Sequence, residues 1–139
     1  MPELPDLSLE RAPAFVREAG LEVGEIGPER VTGTIAAGPA HHTPWGVVHG
    51  GVYATAIESA CSIGASVAVA GEGMFAVGLS NQTDFLRPHR DGELHVTATP
   101  VDRGRTQQLW QCEIARADGK LVARGQVRLQ NVPFDHAGG

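Results

Sequence analysis

One stretch constrains this chain more than any other. Between Arg30 and Glu72 lie 41 residues, and Glu58 is the only Asp, Glu, Lys or Arg among them. At the chain-wide charged fraction of 19%, about eight would be expected. A segment so poor in charge is built to be buried in good part. Its second half, residues 50 to 70, has no Pro, carries Gly50 and Gly51 at its start and Gly64 inside, and is followed by Gly71. That punctuation predicts one long helix. Ala54, Ala56, Ala60, Cys61, Gly64, Ala65 and Ala68 place small residues all round it, which predicts a helix closely approached from several sides. Glu58 stands alone on it. A buried carboxylate is costly unless paired or hydrogen-bonded, so Glu58 either faces solvent or is held inside for chemistry.

The flanking segments read as strands and turns. Leu7, Leu9, Ala12, Phe15, Val16 and Ala19 form a loose apolar stripe that predicts a helical segment over 7–20, with Pro13 separating its first turn. Residues 21–26 and 31–35 alternate with period two around Gly27-Pro28 and predict a strand pair. Residues 38–48 read as a loop. After the long helix, Phe75 to Leu86 predicts a strand ending before Pro88. Further strands follow: one around Leu94, Val96 and Ala98, one around Trp110, Cys112 and Ile114, and one over 121–130. Asp91-Gly92 and Asp118-Gly119 are hairpin signals between them. Consecutive hairpins make an antiparallel sheet, and a sheet with one long apolar helix must wrap that helix to bury it. The expected fold is α+β: a single domain over 1–139, with residues 1–20 as an N-terminal helical segment and 133–139 as a flexible tail.

Composition excludes several functions. A net charge of −5 argues against a nucleic-acid or anionic-membrane surface. Seven aromatic residues are too few for a base-stacking platform. Cys61 and Cys112 form neither a disulfide framework nor a CxxC pair and read as small core residues of a reduced, cytoplasmic protein. The acidic N-terminus lacks a leader pattern, and no membrane-spanning helix is expected, because Glu58 interrupts a segment rich in Gly, Ser and Ala. His41, His42 and His49 lack the acidic or Cys partners of a metal site, and Ser59 and Ser62 sit in no G-x-S-x-G elbow. Gly71 and Gly73 precede no Lys-Ser/Thr of a phosphate loop. No cofactor or metal is expected.

The helix start carries the chemistry. Trp45-Gly46-Val47-Val48-His49-Gly50-Gly51 leads into it, and Glu58 follows Gly50 by eight residues. Gly50 and Gly51 let a ligand approach a terminus with unpaired N–H groups and a positive dipole end. An N–H that can hold an oxyanion, with a carboxylate that can attack or activate water, is what thioester hydrolysis requires. Together with Phe85-Leu86-Arg87-Pro88, Gly92 and Gly104-Arg105, this motif resembles the hotdog-fold acyl-CoA thioesterases over roughly residues 15–132. The pattern is most similar to the glutamate branch that includes 4-hydroxybenzoyl-CoA thioesterases. The related PaaI-type branch usually has Asp where Glu58 stands.

The resemblance implies an antiparallel curved sheet wrapped around one central helix, and hydrolysis of an acyl- or aryl-CoA. It assigns carbonyl polarisation to the Gly50 N–H, ordering of the turn to His49, and the role of nucleophile or general base to Glu58. Ser62 would position water or the acyl group. The family often has Gln or Asn before Pro44; here Thr43 stands there, with His42 beside it as a possible substitute. Arg87, Arg103 and Arg105, basic groups at turns, are candidates for the coenzyme A phosphates. Spacing adds an inference of its own. Gly50 and Glu58 lie about 12 Å apart along one helix, too far for both to act on one thioester. Two antiparallel copies of the helix can supply both, so a homodimer or homotetramer with shared sites is expected. The competing readings are a hotdog-fold hydratase or dehydratase and a non-catalytic acyl-CoA-binding module.

Overall fold

The computed structural model describes residues 4–136. The first helical segment is broken, as Pro13 requires: a short 3-10 turn at Leu9–Arg11 precedes α1 (Ala14–Ala19). The hairpin β1 (Leu21–Ile26) and β2 (Val31–Ala37) follows. The loop after it contains a 3-10 turn at Pro39–His41 and a bridge between His42 and Val48. The long helix α2 runs from Gly50 to Ala70. Four strands complete the chain: β3 (Met74–Phe85), β4 (Gly92–Arg103), β5 (Gln107–Arg116) and β6 (Leu121–Pro133). All six strands are antiparallel, in the order β1-β2-β4-β5-β6-β3.

The sheet curves around α2 and buries alternate residues against it. Val31 and Ile35 of β2, Leu94, Val96 and Ala98 of β4, Trp110, Cys112 and Ile114 of β5, and Val127 and Leu129 of β6 face the helix. They meet Ala56, Ile57, Ala60, Cys61 and Ala65. The β5–β6 hairpin turns at Asp118-Gly119, where Gly119 takes φ +86°, a conformation that costs glycine little. Cys61 and Cys112 are both free and buried, as their apolar reading requires.

The C-terminal half of α2 is clamped to the sheet by a buried polar network. Gln108 donates to the Ala65 carbonyl (3.0 Å) and to Asn131 Oδ1 (2.8 Å), and accepts from Trp110 Nε1 (2.8 Å). Asn131 in turn donates to the Arg105 carbonyl at 3.1 Å. The Gln108 and Asn131 amides are thus satisfied where an unpaired amide would be costly. Gly64 makes this approach possible: a Cβ there would lie 2.5 Å from the Trp110 ring, whose residue is fully buried. Gly64→Ala is expected to destabilise the protein by about 1–3 kcal/mol through overpacking. Thermal melting checks this, and an unchanged Tm would mean that the ring has room to move.

Two expectations need correction. First, α2 is not enclosed on every side. Gly51 and Glu58 are exposed in the single chain, and Thr55, Ser59, Ser62 and Ser66 are only partly buried. The sheet is one layer and can cover only one side of a cylinder. Second, β6 continues through Pro133, and Phe134–His136 form a 3-10 turn rather than a loose tail, with Phe134 packed 5.3 Å from Phe75. Residues 137–139 lie outside the described residues. By length and hydropathy alone α2 would be long and apolar enough to cross a bilayer. Its apolar residues serve the core of this fold instead.

Candidate active site

The site begins at the first turn of α2. His49 is the N-cap, and its Nδ1 accepts the Gly51 N–H at 2.8 Å. Nδ1 is therefore the acceptor nitrogen, with Nε2 left to carry the proton of the neutral ring. The Val52 N–H donates to the His49 carbonyl at 3.0 Å. Of the first three N–H groups of the helix, only that of Gly50 lacks an acceptor among the described residues. One free donor at the positive end of a 21-residue helix is suited to an anion or a polarised carbonyl.

The loop before the helix is held by local bonds. The Thr43 N–H donates to the Val47 carbonyl (2.7 Å), the Gly46 N–H to the Thr43 carbonyl (3.0 Å), and the Trp45 N–H to Thr43 Oγ1 (3.2 Å). Thr43 thus shapes the turn that leads into His49. His42 Nε2 donates to the Arg90 carbonyl at 2.6 Å, and His41 Nε2 to the Glu18 carbonyl at 2.9 Å. The Nε2 atoms of both neighbouring histidines are therefore committed to backbone carbonyls. A hollow of about 410 Å³ lies beside the helix start, walled by Phe15, His42, His49, Gly51, Val52 and Thr55.

Gly50 has a second structural role that its sequence context does not reveal. A Cβ there would collide with the Phe85 ring, so the ring rests directly on the glycine. Phe85 is 59% exposed and tilts against Tyr53 at 6.0 Å between centroids. The Tyr53 hydroxyl is buried with no partner among the described residues, and burial pushes it above the ordinary phenol range.

Two turns further along, Glu58 lies on the open face of α2 with Gly51, Thr55 and Ser62, a stripe at helical spacing. Its carboxyl carbon approaches Gly78 of β3, 3.7 Å from where a Cβ there would stand. The β3–β6 register shifts between Gly78 and Ser80, so a bulge sits beside the carboxylate. Asn81 Nδ2 donates to the Ala54 carbonyl at 3.0 Å, tying β3 to the helix one turn before Glu58. The outer edge of β3 ends the sheet, and Val77 and Leu79 are exposed along it. Cys61, one turn past Glu58, faces the core instead. Its neighbour Cys112 and its burial hold its thiol far above the usual range, so it stays protonated and is no nucleophile.

The three arginines do not meet at one place. Arg87 Nη1 donates to the Leu121 carbonyl at 2.9 Å. Arg103 is paired with Glu29 and donates to the Pro28 carbonyl at 2.8 Å. Arg103 and Arg105 border Ala68, Val69 and Glu72, at the far end of α2 from Gly50. The basic group that does stand near the helix start is Arg90, whose guanidinium lies against Gly46 and makes no ion pair among the described residues. Sequence reasoning missed it because Asp91-Gly92 reads only as a turn. The long-range bonds from Val48 and His42 to the backbone of His89 and Arg90 bring it there.

Comparison with known proteins bears on the fold and the family. The model of the thioesterase superfamily matches residues 46–123, more than half of the chain. A Mycobacterium tuberculosis protein designated a presumed esterase is 44% identical over 120 residues, 85% of this chain and 86% of the relative. Its solved structure superposes with a TM-score of 0.84, covering 87% of this chain and 98% of that one. The structure of a Haemophilus influenzae thioesterase, at 29% identity, gives a TM-score of 0.85 over 96% of this chain and 93% of its own. A 1,4-dihydroxy-2-naphthoyl-CoA hydrolase of Escherichia coli is 29% identical over 102 residues, 73% of this chain and 74% of that protein. A six-stranded antiparallel sheet around one helix, a glycine helix start and a superfamily match across both lead to one assignment: the chain is a hotdog-fold member of the thioesterase superfamily, a family of thioester hydrolases.

Proposed function

We propose that the protein hydrolyses an acyl- or aryl-CoA thioester at two equivalent sites shared across a homodimer. The observation that carries this reading is the pairing of one free N–H, at Gly50, with one exposed carboxylate, at Glu58, on a helix whose open face borders an unpaired strand edge. Joining β3 to β3 of a second copy would continue the sheet and cover Val77 and Leu79. It would also lay the two α2 helices side by side and antiparallel. Gly50 of one protomer would then face Glu58 of the partner subunit.

The chemistry follows from that placement. The thioester carbonyl oxygen accepts the Gly50 N–H, which stabilises the charge that develops on it. Glu58 of the partner subunit takes a proton from water as the water oxygen bonds to the carbonyl carbon. The C–S bond then breaks, the proton passes to the departing thiolate, and free acid and coenzyme A leave. Direct attack by Glu58, followed by hydrolysis of the resulting anhydride, uses the same two groups. Ser62, one turn from Glu58, lies where it could orient the water or the acyl group. Arg90, beside the helix start, is the better placed contact for a coenzyme A phosphate; Arg103 is already committed to Glu29.

The shared site has a direct test. Glu58→Gln and Gly50→Val chains, each inactive as homodimers, are unfolded together and refolded as an equimolar mixture. Half of the dimers are then mixed, and each mixed dimer regains one intact site. Thiol release from an acyl-CoA should recover to about a quarter of the wild-type rate. No recovery in a mixture that sedimentation shows to be dimeric would mean that the sites are not shared. Binding of acyl-CoA without thiol release by the wild type would favour a non-catalytic module.

A further inference from the structure

The edge strand β3 changes phase beside Glu58. Before the bulge its even-numbered residues face α2: Ala76 lies opposite Asn131 of β6, and Gly78 opposite Leu129. After it, Asn81 lies opposite Val127, Thr83 opposite Gly125 and Phe85 opposite Ala123. All five of these β6 residues are buried. Residues paired across two strands share a face. The one extra residue, Leu79, therefore turns Asn81, Thr83 and Phe85 toward the helix. Without it Gln82 and Asp84 would point there, because a slip of one residue exchanges the two faces of a strand.

The turned residues form a chain of bonds that ends at the turn carrying Glu58. The Thr83 hydroxyl donates to Asn81 Oδ1 (2.6 Å), and Asn81 Nδ2 donates to the Ala54 carbonyl (3.0 Å). A carbonyl oxygen only accepts, so the amide must turn its nitrogen to Ala54, and the Thr83 hydroxyl holds it in that orientation. Gly125 leaves room for this: a Cβ there would lie 2.7 Å from Thr83 Oγ1. In an α-helix the Ala54 carbonyl also takes the N–H four residues on, which is that of Glu58. On the other side of the bulge the Ala76 N–H donates to Ser66 Oγ at 3.0 Å. The strand is thus fastened to α2 on both sides of Glu58, at Ala54 and at Ser66. Gly78, between the two ties, stands against the Glu58 carboxyl group.

We infer that Asn81 is a positioning residue for Glu58, held in orientation by Thr83. The role rests on the proposed hydrolysis at Glu58. Asn81 need not touch the thioester. It sets the separation between β3 and the helix turn that carries the carboxylate, and so keeps Gly78 as the wall on which that side chain lies. A base displaced by about 1 Å can lose as much as a hundredfold in rate, so a tie that fixes this separation acts on turnover more than on binding.

The test measures kcat and KM of the full-length protein on an acyl-CoA, with a melting curve and sedimentation for each variant. Asn81→Ala should lower kcat about tenfold and leave KM within about twofold. Asn81→Leu keeps the volume without the donor and should lose as much. Thr83→Val, which removes only the orienting hydroxyl, should lose about threefold, and it keeps the test decisive if the Asn81 variants alter fold or assembly. The discriminating measurement repeats the substitutions in a Glu58→Gln chain. A residue that acts through Glu58 has nothing left to act on there, so each further loss should shrink to less than about twofold. Wild-type kcat in all three variants, full activity in Asn81→Leu, or losses of undiminished size in the Glu58→Gln chain would overturn the positioning role while leaving the hydrolase reading intact. Near-normal turnover by Glu58→Gln itself would overturn the proposed mechanism, and the positioning role with it.

Discussion

Replacing Glu58 by Gln is expected to lower kcat by at least about a hundredfold, the smallest loss usual when a general base is removed. The amide preserves the shape of the side chain but neither attacks a carbonyl nor accepts a proton. Stability should barely change. Glu58 is exposed in the protomer and touches β3 only through its approach to Gly78, and surface substitutions of this kind stay within about 0.5 kcal/mol. Steady-state kinetics on an acyl-CoA with a melting curve checks both halves. Near-normal turnover would make Glu58 a solvated helix residue and remove the centre of the mechanism.

Gly50→Val should cost about a hundredfold in kcat/KM, comparable to the loss of one oxyanion donor, though the N–H itself remains. The structure changes the reason. From the sequence, a side chain at position 50 would simply obstruct the carbonyl. In the fold its Cβ would first strike the Phe85 ring. That ring is 59% exposed in the protomer and can swing away, but doing so breaks its contact with Tyr53. Two effects are therefore mixed, and Phe85→Ala separates them. If displacement of Phe85 is the whole cause, Phe85→Ala alone should lose as much activity as Gly50→Val. If access to the N–H matters, the double variant should remain as impaired as Gly50→Val. A Gly50→Val protein with wild-type kinetics, or one whose loss tracks unfolding alone, would take the helix start out of the reaction.

In the proposed mechanism the two substitutions report on different halves of one site, and the fold accounts for the rest of the helix composition. A wholly buried α2 would need no stripe of Gly51, Thr55, Glu58 and Ser62. A surface helix would not need Ala56, Ala60, Gly64 and Ala65 against a curved sheet. The helix carries both: small residues where β5 brings Trp110 onto it, and a lean polar stripe on the side the sheet leaves open.

Much of this was legible in the chain because it depends on local chemistry. The ends of α2 are set by His49, whose side chain caps the first turn, and by the glycines after Ala70. Strand faces follow from alternation at period two, and the β5–β6 hairpin from Asp118-Gly119, whose glycine takes the positive φ the turn demands. Other features needed the tertiary structure. Small residues surround α2, so no periodicity could say which side is open; only the placement of a one-layer sheet decides it. Strand order left β3 at the edge beside that open side. Arg103 was lost to Glu29 and Arg90 brought to the helix start by contacts between segments far apart in sequence. An apolar hollow is made where both ends of the chain converge on one helix face. Such contacts arise from how elements pack, and no local pattern of residues encodes them.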